Sequence, residues 1–131
     1  MIYNIAVETG RPSFVDLTEE IIRAVARSGV VDGLCVVAVD KPTAAVVLVE
    51  AGNSNAQADI LNELRTAVPP RVDYPSGSEP WLASARTKAA LLGGSKEIPI
   101  VEGRPQLTPG CGLCLVDLLG SSTVAVSITC L

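Results

Sequence analysis

The chain has 131 residues, of which 48% are hydrophobic and 18% are charged, and its formal net charge is −4. This length is typical of one domain with its own core, so we expect residues 1–131 to form a single domain. The charged fraction lies below the average of about 25%, which favours a chain that covers apolar surface with copies of itself. An acidic chain without a basic block lacks the cationic footprint that nucleic-acid-binding proteins need, so we expect no nucleic-acid partner.

The sequence also bears on the cellular compartment. No apolar run approaches the roughly 18 residues of a membrane span. Residues 1–10 lack the basic start and the small-residue cleavage site of a signal peptide. The spacing of the four cysteines is irregular, unlike the disulfide framework of a small secreted domain; they are Cys35, Cys111, Cys114 and Cys130. We therefore expect a cytoplasmic protein without a membrane partner.

The N-terminal segment predicts a strand followed by a helix. Residues 2–9 alternate well enough for a strand, and the Gly-Arg-Pro-Ser run after them interrupts it. Asp16 and Glu19 form an Asp-x-x-Glu start that resembles a capping box. The apolar residues that follow recur on one helical face, and Gly29 supplies a left-handed helix end.

The remaining elements follow from runs of apolar residues. Residues 34–39 and 44–50 are Val-rich and nearly continuous in apolar residues, which predicts two strands covered on both faces. Residues 56–68 and 81–92 have helical spacing, and Pro69 and Gly93 follow them. Strand patterns occupy the rest of the chain: 97–102, a short piece near Gln106, 112–118 and 123–130.

The order of these elements predicts the fold class. It is β-α-β-β-α-α-β-β-β, with the short piece near Gln106 uncounted. Because the strands cluster at the C-terminal end instead of alternating with helices, the sequence predicts an α+β fold and not a doubly wound α/β fold.

Four runs, in this order, resemble the YjbQ-like family, whose members are associated with secondary thiamine-phosphate synthase activity. They are "DLTEEIIRAVARSGVVDGL" from Asp16, "TAAVVLVEAG" from Thr43, "KAALLGGSKEIPIVEGR" from Lys88 and "GLCLVD" from Gly112. The resemblance implies a β-sandwich of mixed or antiparallel strands flanked by about three helices, and a homotrimer.

The chain departs from the family at its histidines. Lys41, Ser76 and Arg86 stand where the family has histidines, and the sequence contains no histidine at all. Cys111 replaces the glutamine of the family's Gly-Thr-Trp-Gln-Gly loop. Residues retained at family positions are Thr43, Glu50, Asp59, Lys88 and Arg104.

These replacements change the chemistry that the site can perform. Imidazole nitrogens bind zinc through lone pairs, whereas protonated Lys and Arg have none to offer. We therefore expect neither a metal nor another cofactor. If Lys41 and Arg86 converge, with Thr43 on the same wall, they form an anchor for a small anion such as a phosphate. The alternative is that both side chains are solvated, or that one pairs with Glu50. The candidate ligand-binding residues are Lys41, Thr43, Glu50, Ser76, Arg86 and Cys111.

A cysteine motif and a tryptophan also need an interpretation. Cys111 and Cys114 form a Cys-x-x-Cys motif, and three interpretations are open: ordinary core and loop cysteines, a redox or disulfide pair, and part of a metal site. Because a strand pattern follows instead of a helix, the first interpretation is favoured. Trp81 is expected to pack at the start of the helix over 81–92.

The sequence thus supports two functional hypotheses. In the first, the chain is a degenerate YjbQ-like protein that binds a small anionic ligand, or serves as a scaffold, without catalysis. In the second, it is a metal-independent transferase of the thiamine-phosphate synthase type. The loss of every histidine argues against the second, because phosphoryl leaving groups need metal ions or several cations for charge stabilisation.

Overall fold

The computed structural model describes all 131 residues and contains three helices and eight strands. The helices are α1 (Thr18–Ser28), α2 (Ser54–Ala67) and α3 (Pro80–Leu92). The strands are β1 (Ile2–Glu8), β2 (Phe14–Asp16), β3 (Gly33–Val39), β4 (Ala44–Glu50), β5 (Ser95–Val101), β6 (Arg104–Pro105), β7 (Cys111–Asp117) and β8 (Thr123–Cys130). None of the three helices combines the length and the apolar content needed to cross a membrane.

Two antiparallel sheets form the framework. One has five strands in the order β1-β8-β3-β5-β6, and the other has three in the order β2-β7-β4. Buried residues of both sheets and of α1 share one hydrophobic core, in which Val37 and Val126 meet Val46, Leu115 and Ile21. The predicted α+β sandwich with three flanking helices is therefore confirmed.

The sequence prediction missed β2 and only partly described the start of α1. Three residues are too few for alternation to be visible, and Phe14–Asp16 becomes a strand only by pairing with β7. The Asp16 carboxylate accepts a hydrogen bond of 2.8 Å from the Thr18 amide, whereas Glu19 makes no return bond. The N-cap of α1 is Leu17, and no side chain caps the helix. The expected capping box of Asp16 and Glu19 is therefore wrong, and Asp16 instead forms a local turn with Thr18 just before the helix. Gly29 ends α1 with φ of 71°, as predicted.

Helix α3 covers the outer face of the three-stranded sheet. A second hydrophobic cluster holds it there, and its buried members are Ala45, Ala85, Ala89, Val116 and Leu118. The alanines let the helix lie close to the sheet. Leu61 and Leu64 of α2 pack against the edge of this cluster without being fully buried. As a result, β7 is buried on both faces.

Asp117, at the end of β7, organises the turn into β8. Its side chain is 2% exposed, and its carboxylate accepts hydrogen bonds from Thr9 Oγ1 (2.9 Å) and Ser122 Oγ (2.5 Å). The amides of Leu119 and Gly120 also donate to it, at 3.2 and 3.0 Å. Burial alone would raise the pKa of Asp117, but these four hydrogen bonds outweigh it and hold the pKa below its ordinary value.

We predict that Asp117→Ala destabilises the protein by about 3 kcal/mol or more, because the buried donors lose a charged acceptor. Since the folded-state pKa is depressed, the contribution of this carboxylate is present above its unfolded pKa and is lost as the pH falls through the folded value. Urea unfolding at several pH values measures both effects. Asp40→Ala is the matched control, because Asp40 is exposed and accepts one hydrogen bond, from the Ala125 amide. Equal losses in the two variants would contradict the prediction.

Candidate anion-binding site

The six candidate residues from the sequence fall into three separate places. Glu50 and Cys111 are register partners at one end of the β4–β7 ladder. Glu50 accepts a hydrogen bond of 3.2 Å from Asn53 and pairs with neither Lys41 nor Arg86, since the one ion pair of the structure joins Arg23 to Glu20. The ion-pairing alternative for the two cations is therefore absent.

Ser76 and Arg86 do contact each other. The Arg86 guanidinium lies 2.7 Å from the hydroxyl of Ser78 and 3.4 Å from that of Ser76, and it donates to both. Both partners belong to the loop that precedes α3. Both hydroxyls are neutral, so neither supplies a counter-charge to Arg86.

Lys41 and Thr43 lie at the opposite end of β4 from Glu50. Thr43 is buried and its carbonyl accepts from the Leu118 amide at 2.9 Å. Six strand steps of about 3.3 Å separate Ala44 from Glu50, or about 20 Å. Within one chain, a small ligand that contacts Lys41 and Thr43 therefore cannot also contact Glu50 and Cys111. The ligand-binding role of the six residues stays a prediction.

A different group of cations lines a cleft between α2 and α3. Its volume is about 520 Å³, within the range of about 300–1,000 Å³ that is common for small-molecule sites. Helices α2 and α3 form two walls, and the end of β7 and the segment after β1 complete it. Lining residues are Arg11, Pro12, Leu61, Leu64, Arg65, Trp81, Ser84, Lys88, Leu118 and Leu119.

The two helices run antiparallel along the cleft. Ser84 Oγ donates to the Val68 carbonyl at 2.6 Å, which ties the middle of α3 to the end of α2. One turn further along α3, Lys88 lies close enough to Arg65 of α2 for the two charges to interact. On α3, Trp81, Ser84 and Lys88 follow helical spacing and form one stripe that faces the cleft.

The charges of the cleft are unbalanced. Arg11, Arg65 and Lys88 line it, and no Asp or Glu does. None of the three forms an ion pair. Burial lowers the pKa of Lys88, and the neighbouring Arg65 lowers it further. Both effects mean that the surroundings of Lys88 disfavour its positive charge, and a bound anion would oppose both of them.

Sequence reasoning missed this cleft. The sequence identifies Lys88 only as a residue that matches the family. Arg11 and Arg65 carry no sequence signal of a binding site, because Arg11 lies alone in a turn and Arg65 lies alone on an exposed face of α2. Trp81 was expected to pack, and this was wrong: its side chain is 65% exposed. The signal that could have found part of the site is the i, i+3, i+7 stripe of Trp81, Ser84 and Lys88.

The Cys-x-x-Cys motif is split between two faces of β7. Successive side chains of a strand alternate, so Cys111 shares the inner face with Leu113 and Leu115, whereas Cys114 points outward. All four cysteines are free. Burial raises the pKa of Cys114 to about 11, and burial together with neighbouring Cys130 raises that of Cys35 to about 12. The geometry disfavours a disulfide within this motif.

We predict that one thiol per folded chain, Cys111, reacts quickly with Ellman's reagent at pH 8. Its side chain is partly exposed, whereas the other three are buried, and a buried thiol with a raised pKa presents little thiolate. Cys111→Ser should abolish the fast phase, and unfolding in urea should release the remaining three thiols. Two fast thiols in the folded wild type would show that the assignment is wrong.

Comparisons with known proteins agree with this architecture. The family profile described as "UPF0047 protein YjbQ-like" matches residues 3–131. A UPF0047 protein of Methanocaldococcus jannaschii is 29% identical over 123 residues, which cover 92% of this chain and 86% of that protein.

Solved structures show the same fold. A protein of the YjbQ/UPF0047 family from Clostridium acetobutylicum is similar with a TM-score of 0.90 at 28% identity, over 98% of this chain and 99% of that chain. A hypothetical protein from Aeropyrum pernix also has a TM-score of 0.90, at 27% identity, over 100% of this chain and 98% of that chain. A YbjQ-like protein of unknown function from Sulfolobus solfataricus has a TM-score of 0.88 at 27% identity, over 98% and 95% of the two chains.

Proposed function

This chain belongs to the YjbQ-like family, as its sequence predicts, and we propose that it is a member that binds a small anionic ligand without converting it. The observation that carries this proposal is the cleft between α2 and α3, where Arg11, Arg65 and Lys88 meet no acidic residue. In a chain of net charge −4, three unpaired cations in one concave site favour a ligand that supplies the missing negative charge.

The arrangement suits a phosphate or a carboxylate. Arginine offers a planar fork that grips two oxygens at once, and lysine adds a compact point charge. The cleft contains no histidine or carboxylate to act as a general base, and the Ser84 hydroxyl already donates to Val68. A bound anion would hold Lys88 in its protonated form, in which it binds charge and cannot accept a proton. No cofactor is part of this proposal.

Two cationic groups of α3 can be compared directly in solution. Lys88 faces the cleft, whereas Arg86, two residues earlier, is rotated by about 160° to the opposite flank of the helix. We predict that Lys88→Met and Arg65→Met each weaken pyrophosphate binding by about tenfold to a hundredfold, since a hydrogen bond to a charged group contributes about 1.5–3 kcal/mol. Titration calorimetry at pH 7.5 measures the affinities.

Arg86→Met is the matched control, and it should leave the affinity unchanged. The reverse pattern, with binding lost only in Arg86→Met, would place the anion beside Ser76 and Ser78 and overturn the choice of the cleft. Formation of thiamine phosphate from its pyrimidine diphosphate and thiazole phosphate precursors would overturn the non-catalytic part of the proposal and favour the transferase.

The proposal also covers assembly and compartment. We infer a cytoplasmic homotrimer from the family resemblance and from the low charged fraction of 18%. Large apolar side chains that are exposed on the single chain, among them Ile2, Leu48 and Leu131, agree with surface that copies of the chain cover.

We predict that multi-angle light scattering at micromolar concentration gives about three times the chain mass of 13.6 kDa. The mass should not change between low and high salt, because apolar contacts are not screened by ions. A mass equal to one chain at these concentrations would refute the trimer and leave the anion-binding proposal untouched.

A further inference from the structure

The cleft has a cationic end and an apolar end. Arg65 of α2 and Lys88 of α3 lie side by side at the cationic end. Trp81 lies seven residues before Lys88 on the same stripe of α3. Seven residues of α-helix span about 10 Å. A ligand that contacts both ends is therefore elongated, with its charge at one end.

Much of the surface between these ends is hydrocarbon. Leu118 and Leu119, which follow β7, supply its floor. Leu61 and Leu64 precede Arg65 on α2, so they line the cleft beside the cations and on the side away from Trp81. Leu119 is 48% exposed and Trp81 is 65% exposed, so water covers large apolar groups beside the cations. An apolar body that displaces this water gains free energy in proportion to the area covered.

The cleft offers few uncharged hydrogen-bonding side chains to the body of a ligand. They are Trp81, whose indole N–H can donate, and Ser84, whose hydroxyl donates to the Val68 carbonyl at 2.6 Å and can only accept from a ligand. A nucleobase or a sugar buried there would leave most of its polar groups unpaired, which costs more than it gains. The lining therefore discriminates between ligands by the polarity of the body and not only by the charge of the head.

We propose that the cleft binds a phosphate monoester whose body is a hydrocarbon, with the phosphate held by Arg11, Arg65 and Lys88 and the hydrocarbon lying along α3, over Leu118 and Leu119, to Trp81. This rests on the proposed function and names its ligand class. A phosphate monoester carries close to two negative charges at neutral pH, which matches a site with three cations better than a single carboxylate does.

Three compounds that share the dianionic head test the inference by calorimetry: inorganic phosphate, hexyl phosphate and ribose 5-phosphate. Hexyl phosphate should bind at least about tenfold more tightly than inorganic phosphate, because burial of as few as two methylene groups is enough for that factor. Ribose 5-phosphate should bind no more tightly than inorganic phosphate. Trp81→Ala should remove most of the hexyl advantage and leave phosphate affinity unchanged, whereas Lys88→Met should weaken all three ligands.

The outcomes distinguish the hydrocarbon body of the ligand from anion binding by the cleft. Equal affinities for hexyl phosphate and inorganic phosphate, or tighter binding of ribose 5-phosphate, overturn the hydrocarbon body and leave anion binding intact. If none of the three binds, both proposals fall. If hexyl phosphate binds more tightly but Trp81→Ala retains the whole advantage, the hydrocarbon lies elsewhere and the assigned position is wrong. Ile22→Ala serves as the control for loss of an exposed apolar side chain, since Ile22 is 42% exposed on α1.

Discussion

The burial of β7 on both faces is the constraint on which the other features depend. Its inner face meets the five-stranded sheet and α1, and its outer face meets the alanines of α3. A strand covered in this way has no room for an unpaired polar group. Gly112 shows how tight the surroundings are, since a Cβ there would lie 3.0 Å from the Asp16 carboxylate and from the Thr18 hydroxyl.

The residues at the end of β7 stabilise the fold and also form part of the cleft. The Asp117 carboxylate accepts hydrogen bonds from the amides of the turn that follows β7. The next two residues, Leu118 and Leu119, form the floor of the cleft. The turn is thus held by hydrogen bonds to one buried carboxylate, while the side chain of Leu119 remains exposed to a ligand. A rigid scaffold that presents a few exposed groups is the usual arrangement of binding sites.

The residues at the family's histidine positions and the cations of the cleft lie in different parts of the structure. The sequence resemblance aligns Lys41, Ser76 and Arg86 with histidines of the family. Lys41 lies in the β3–β4 turn, whereas Ser76 and Arg86 contact each other at the flank of α3 that faces away from the cleft. The cations of the cleft come from three other places: the segment after β1, the last turn of α2 and the inner stripe of α3. The proposed anion binding therefore does not depend on replacing a metal by charge at the aligned positions.

The sequence by itself determined the α+β class, the three helices, seven of the eight strands and the family, because these depend on local periodicity, helix ends and ordered motifs. It also shows that the chain contains no histidine, which is visible without coordinates. Only the tertiary structure decided which residues share a site. Arg11, Arg65 and Lys88 are far apart in sequence, and they meet because α2 and α3 pack antiparallel over the end of β7. The same packing left Trp81 exposed instead of buried. Local spacing in the sequence indicates only which face of a helix a side chain occupies. The neighbours that cover the side chain come from distant parts of the chain, so only the tertiary structure shows whether they are present.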